Sequence, residues 1–115
     1  MKGLDERALG QIAEYFQALA EPTRLRLLNS LRESELSVGE LTQIAGCSQA
    51  NVSKHLSLLA KGGLVERRNE GTSVYYGISD PDIYKLCDLV CGQISKRLAA
   101  QDAMHRQLKR AVRAG

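Results

Sequence analysis

A mainly helical fold with one small β-hairpin, in the order α-α-α-α-β-β-α, is the fold class this 115-residue sequence predicts. Three observations lead there. Apolar residues recur at helical spacing along most of the chain. Two short segments with helix-capping signals follow one another closely within residues 37–61. A double glycine, Gly62 and Gly63, then precedes two β-prone runs around a glycine-containing turn.

Taken in order, residues 5–19 form the first helix, with Leu9, Ile12, Ala13, Phe16, Leu19 and Ala20 along one face. Pro22 suits the first position of a second helix, where its missing N–H has no intrahelical acceptor to lose. Leu25, Leu28 and Leu31 supply that helix's stripe. Ser37 and Glu40 have the spacing of a capping box, and Val38, Leu41, Ile44 and Ala45 follow as a short third helix that Gly46 stops. Ser48 caps a fourth helix after a turn of about two residues, and helices joined this tightly cross steeply as a helix-turn-helix. Strands follow at 64–68 and 73–78 around Asn69, Glu70, Gly71 and Thr72, with Val74, Tyr76 and Ile78 on one face. Asp80 and Pro81 open a last helix reaching about residue 113, apolar in its first half and basic in its second. The expected organisation is one domain over 1–115, with the helix-turn-helix at 37–61 and the hairpin at 64–78.

Bulk properties narrow the function classes. A hydrophobic content of 43% and a charged content of 25% are those of a soluble globular chain. A net charge of +3 permits a nucleic-acid partner without requiring one. No apolar run approaches the roughly 18 residues of a membrane span, and the N-terminal MKGLDERALG lacks a signal peptide's apolar core. The expectation is a cytoplasmic protein with no membrane partner, whose three cysteines, Cys47, Cys87 and Cys91, stay reduced.

The fourth helix is amphipathic in a telling way. Val52, Leu56 and Leu59 cluster on the side that would bury. The other side carries Gln49, Ala50, Asn51, Ser53, Lys54, Ser57 and Lys61, with Ser48 at the cap and His55 at the edge. Gln and Asn pair with adenine in two-pronged fashion, Ser bonds base edges or phosphate, and Lys reaches guanine or phosphate. A small residue such as Ala50 lets a helix sink into a major groove. Arg67 and Arg68 on the hairpin would grip the backbone or enter a minor groove. A solvated outer face and a charge-protected edge strand remain the plainer alternatives.

The segment LAEPTRLRLLNSL, followed by LSVGELTQIAGCSQANVSKHLSLLAKGGLVERRNEGTSVYYGIS, resembles the ArsR/SmtB family of bacterial winged helix-turn-helix repressors over roughly residues 10–95. That resemblance implies a winged helix that forms a homodimer through its terminal helices, about 5–19 and 81–113. It also implies binding to double-stranded operator DNA, with repression relieved by an effector. Two-fold pairing would set two recognition helices one DNA turn apart.

The resemblance also implies where an effector would sit, and several of those places are blank. The Cys-x-Cys position at the start of the third helix holds Ser37 and Gly39. The zinc position on the last helix reads Asp80, Asp82, Gln93 and Lys96, without an imidazole. The thiolate positions late in the fourth helix are Leu58 and Gly62. What remains is Cys87-x3-Cys91, with Cys47 in the turn before the recognition helix. At i and i+4 the two Cβ atoms lie about 5–6 Å apart, whereas a disulfide wants about 3.5–4.5 Å. Coordination of a soft ion through bonds of about 2.3 Å is therefore favoured over an intrahelical disulfide. Three readings stay open: buried filler, a soft metal or metalloid site (arsenite, antimonite, cadmium), and thiol redox or reactive-sulfur sensing, through a disulfide to the partner subunit or a polysulfide bridge. No cofactor is required on any of them.

An enzyme finds no support, since a thiol oxidoreductase would place Cys-x-x-Cys at a helix start within a βαβ frame. No catalytic Ser-His-Asp set, metal-hydrolase pattern or phosphate loop occurs either. An anti-repressor or effector-free regulator with structural cysteines is the alternative function.

Overall fold

The computed structural model describes residues 2–114, which divide into two compact units meeting between Pro81 and Asp82 in the sequence. The first unit holds α1 (Glu6–Leu19), α2 (Pro22–Ser30), β1 (Leu36–Ser37), α3 (Val38–Ala45), α4 (Gln49–Lys61), β2 (Val65–Glu70) and β3 (Ser73–Ile78). The second is one helix, α5 (Ile83–Ala114).

Side chains stop the helix starts from fraying. Asp5 Oδ1 accepts from the Ala8 N–H at 2.9 Å and caps α1. Pro22 takes the first position of α2, and Glu21 Oε2 accepts from the Arg24 N–H at 2.9 Å. The capping box closes in both directions: Ser37 Oγ accepts from the Glu40 N–H, and the Ser37 N–H donates to Glu40 Oε1, each at 3.1 Å. Gly46 ends α3 at φ 67°, a left-handed conformation in which a side chain would be strained. Gly46 and Cys47 form the short turn before the Ser48 cap, as the sequence suggests. Ser48 Oγ then accepts from the Asn51 N–H at 3.2 Å to start α4.

The core of this unit is aliphatic. Leu27 and Leu28 from α2, Leu31 at its C-cap, Leu41 from α3, and Val52, Leu56 and Leu59 from α4 are all essentially inaccessible, with Leu64, Val65 and Tyr76 joining from the sheet side. Each fully buried aliphatic side chain contributes about 1.5–3 kcal/mol relative to exposure. The expected α2 stripe is corrected here: Leu25 is 44% exposed, and Leu27 takes the interior place. In α1 no residue is fully buried, and Phe16 is 51% exposed despite lying on the apolar face.

The sheet differs from a bare hairpin. Leu36 and Ser37 form a third strand, giving the antiparallel order β1-β3-β2 with Leu36 opposite Tyr76 and Ser37 opposite Tyr75. Pairing of β2 with β3 runs from Val65 opposite Ile78 out to Glu70 opposite Ser73. Asn69 and Glu70 therefore belong to the strand, and the loop is only Gly71 and Thr72, not the four-residue turn expected. Leu64, expected as the first strand residue, precedes β2.

Helix α5 begins at Ile83, two residues after Pro81, and continues unbroken for 32 residues. No described helix is long and apolar enough to cross a membrane.

Candidate nucleic-acid interface

Capping by Ser48 and burial of Val52, Leu56 and Leu59 fix which side of α4 faces outward. Gln49, Ala50, Asn51, Ser53, Lys54 and Ser57 are all exposed on that outer side, as is Ser48 at the cap. The sequence thus groups these residues as the structure does. His55 departs from the group: its side chain is 18% exposed and engages Arg24 and Glu21 of α2.

Beside this face lies a groove of about 570 Å³. Gln49, Ser53 and Ser57 form its α4 wall, Arg67, Thr72, Ser73 and Tyr76 its wing wall, and Ser37 with Gly39 its end. Hydroxyls and one guanidinium dominate the polar lining, a combination suited to phosphate oxygens. Thr72 and Ser73, turn and strand residues by sequence pattern alone, join this lining. Their proximity to α4 follows from the short Gly71–Thr72 loop.

The two wing arginines have different surroundings. Arg67 sits opposite Tyr76 in the ladder, is exposed and carries no ion pair among the described residues. Arg68, one residue on, has its Nε 3.0 Å from Glu35 Oε1 and its Nη1 2.8 Å from Glu70 Oε2. Hydrogen bonding to Glu35 first, then to Glu70, raises its pKa further above the ordinary arginine value. Its charge is thus already compensated on the protein.

Among the thiols, Cys47 is half-buried in the α3–α4 turn, Cys87 is half-buried and Cys91 is exposed. Cys87 and Cys91 share one side of α5 at helical spacing with Ile94 and Leu98. No group of three or more His, Cys, Asp or Glu residues that could hold a metal ion occurs among the described residues.

Known proteins share both the sequence pattern and the fold. The family described as "Bacterial regulatory protein, arsR family" matches residues 21–67. A relative from Streptomyces lividans, described as a "Probable mercury resistance operon repressor", is 41% identical over 91 residues, covering 79% of this chain and 69% of the relative. The crystal structure of Rv0081 from M. tuberculosis superposes with a TM-score of 0.76 at 34% identity, over 84% of this chain and 98% of that one. The solution structure of the homodimeric winged helix-turn-helix DNA-binding domain Mb0332 (fragment 1–100) from Mycobacterium bovis gives 0.72 at 36% identity, over 85% and 94%. On this evidence the chain belongs to the ArsR/SmtB family of winged helix-turn-helix transcriptional repressors, which are DNA-binding regulators and not enzymes.

Proposed function

We propose that this chain is a cytoplasmic, homodimeric repressor that reads operator DNA with α4 and is released when an effector engages Cys87 and Cys91. The observation that carries the DNA part is the continuous polar surface of α4 beside the hydroxyl-lined groove and the uncompensated Arg67. Gln49, Asn51, Ser53 and Lys54 face the major groove, Ala50 permits close approach, and Ser48 and Ser57 reach flanking phosphates. Arg67 holds the backbone from the wing. Arg68, bridged to Glu35 and Glu70, shapes the wing more than it neutralises phosphate.

Exposed apolar residues support self-association. Leu89, Val90, Ile94, Leu98, Met104, Leu108 and Val112 of α5 are all exposed, as is Phe16 of α1. A second copy would cover them, as the homodimeric Mycobacterium bovis relative suggests.

For the effector, exposure of Cys91 argues against simple core filler within one subunit. Two thiolates without a third neighbour suit a soft ion that accepts two sulfur donors, or a sulfur bridge, better than a tetrahedral zinc site. The mercury-resistance relative supports the same chemistry. Arsenite and cadmium fit if the partner subunit adds donors. Cys47, half-buried in the α3–α4 turn, is left out of the site.

The test is release of DNA, followed by gel retardation, on adding mercuric ion, arsenite, cadmium or a persulfide. Wild type should let go while Cys87→Ser and Cys91→Ser hold on. Identical release curves for all three proteins would leave the effector-free alternative, with the cysteines structural.

A further inference from the structure

His55 sits one residue beyond Lys54 on α4, yet its imidazole is tied to the preceding helices. Arg24 makes this link. Its Nε donates to the Ala18 carbonyl at 2.7 Å, its Nη2 to the Gln17 carbonyl at 3.2 Å, and its Nη1 to His55 Nδ1 at 3.2 Å. The carbonyls of Gln17 and Ala18 lie in the last turn of α1, where the regular helical ladder runs out; that of Gln17 also accepts from the Ala20 N–H at 3.1 Å. No basic residue occupies that turn, so Arg24 brings from α2 the cation that a helix C-terminus favours.

Arginine is always a donor, so in this contact Nδ1 of His55 is the acceptor. Glu21 completes the cluster. Its Oε2 lies 3.6 Å from His55 Nδ1 while it also caps α2 through the Arg24 N–H. The planar fork of one guanidinium thus joins the end of α1 to the middle of α4, a geometry that an ammonium cannot reproduce. A second contact pins the end of α4: a Cβ on Gly62 would lie 3.1 Å from the Ala18 Cβ, so only glycine admits this approach without displacement.

We infer that Arg24 and His55 form a positioning clamp, which sets the orientation in which α4 presents Gln49, Asn51, Ser53 and Lys54 to DNA. His55, which the sequence places among the DNA contacts, acts through Arg24 and not on the groove. This inference rests on the DNA-reading role of α4. It also gives α1, one of the helices assigned to the dimer, a direct route to the recognition helix.

A clamp and a DNA contact differ in what their loss does to salt dependence. Only a group that neutralises phosphate contributes to the slope of log affinity against log salt. The experiment uses a duplex enriched from a random-sequence pool by wild-type protein, and an unselected duplex of equal length, each titrated across salt concentrations. His55→Leu removes the acceptor, His55→Gln keeps one, and Arg24→Lys keeps charge without the fork. Thermal melting of each variant verifies folding.

His55→Leu and Arg24→Lys should each lose roughly tenfold in affinity for the selected duplex, within the range usual for coupled sites. Their affinity for the unselected duplex and their salt slope should match wild type, and His55→Gln should recover most of the loss. If His55→Leu does not fold, Arg24→Lys and His55→Gln carry the comparison. Loss on both duplexes with a slope smaller by about one makes His55 a phosphate contact and overturns the clamp. Wild-type affinity in Arg24→Lys and His55→Leu overturns it as well. Failure of wild type to enrich any duplex would instead overturn the DNA-reading role of α4, and the clamp with it.

Discussion

Arg68 lies over the ring of Tyr75, with its guanidinium carbon 4.8 Å from the ring centroid, in a ladder that sets the two residues directly opposite each other. Stacking on one side and carboxylates of Glu35 and Glu70 at the edges hold this arginine to the protein. Arg67 has no such partners. Mutation should therefore separate two residues that are adjacent in sequence. Arg67→Ala and Lys54→Ala should each lower the salt slope of DNA binding by about 0.9. Arg68→Ala should leave the slope near wild type while loosening the wing, seen as faster amide exchange in β2 and β3. A slope change in Arg68→Ala equal to that in Arg67→Ala would show that DNA displaces the carboxylates.

Acid should weaken the α2 end of the clamp. The Arg24 N–H, as the largest influence, holds the Glu21 carboxyl below the usual carboxylate range, and the Thr23 N–H adds a smaller pull. A group with a depressed folded pKa stabilises the fold at pH above its unfolded value, about 4.3 for glutamate, and loses that contribution as pH falls through the folded value. Urea midpoints of wild type should thus fall below about pH 4.3 more steeply than those of Glu21→Gln. Parallel acid limbs would mean that Glu21 makes no ionised contribution to the cap.

Packing and capping should show separable costs. Leu56 is wholly inaccessible, so Leu56→Ala should lower stability by about 2–5 kcal/mol in urea titrations. Ser37→Ala removes one half of the capping box and should cost about 1 kcal/mol. A Ser37→Ala cost as large as that of Leu56→Ala would indicate that α3 is held by its cap and not by Leu41.

Cys91 is exposed on α5, whereas Cys47 and Cys87 are half-buried. If a second copy covers the apolar side of α5, maleimide labelling of Cys91 should slow as protein concentration rises through the dimerisation range. Labelling that does not depend on concentration would place the dimer contact elsewhere.

Much of this was legible locally. The spacing of Ser37 and Glu40 identifies the α3 cap because both partners lie within one turn. The outer face of α4 follows from Val52, Leu56 and Leu59, whose 3.6-residue period leaves only one side for polar groups. Features set by distant partners were not legible. In the nine-residue α2, Leu25 and Leu27 are equally apolar, and tertiary contacts alone bring Leu27 inside. Strand β1 has two residues, too few for any alternation. Arg68 meets Glu35 from 33 positions away, and Arg24 meets His55 from 31, so no local pattern marks either pair.

Base reading by α4 is tested most directly by the ratio of affinities for the enriched and the unselected duplex, measured for wild type, Gln49→Ala and Asn51→Ala at one salt concentration. Wild type should favour the enriched duplex by roughly 10³-fold or more. Each variant should lose about 1–3 kcal/mol on that duplex and almost nothing on the other. Equal affinity of wild type for both duplexes, or equal losses on both in the variants, would contradict sequence-specific reading by this helix.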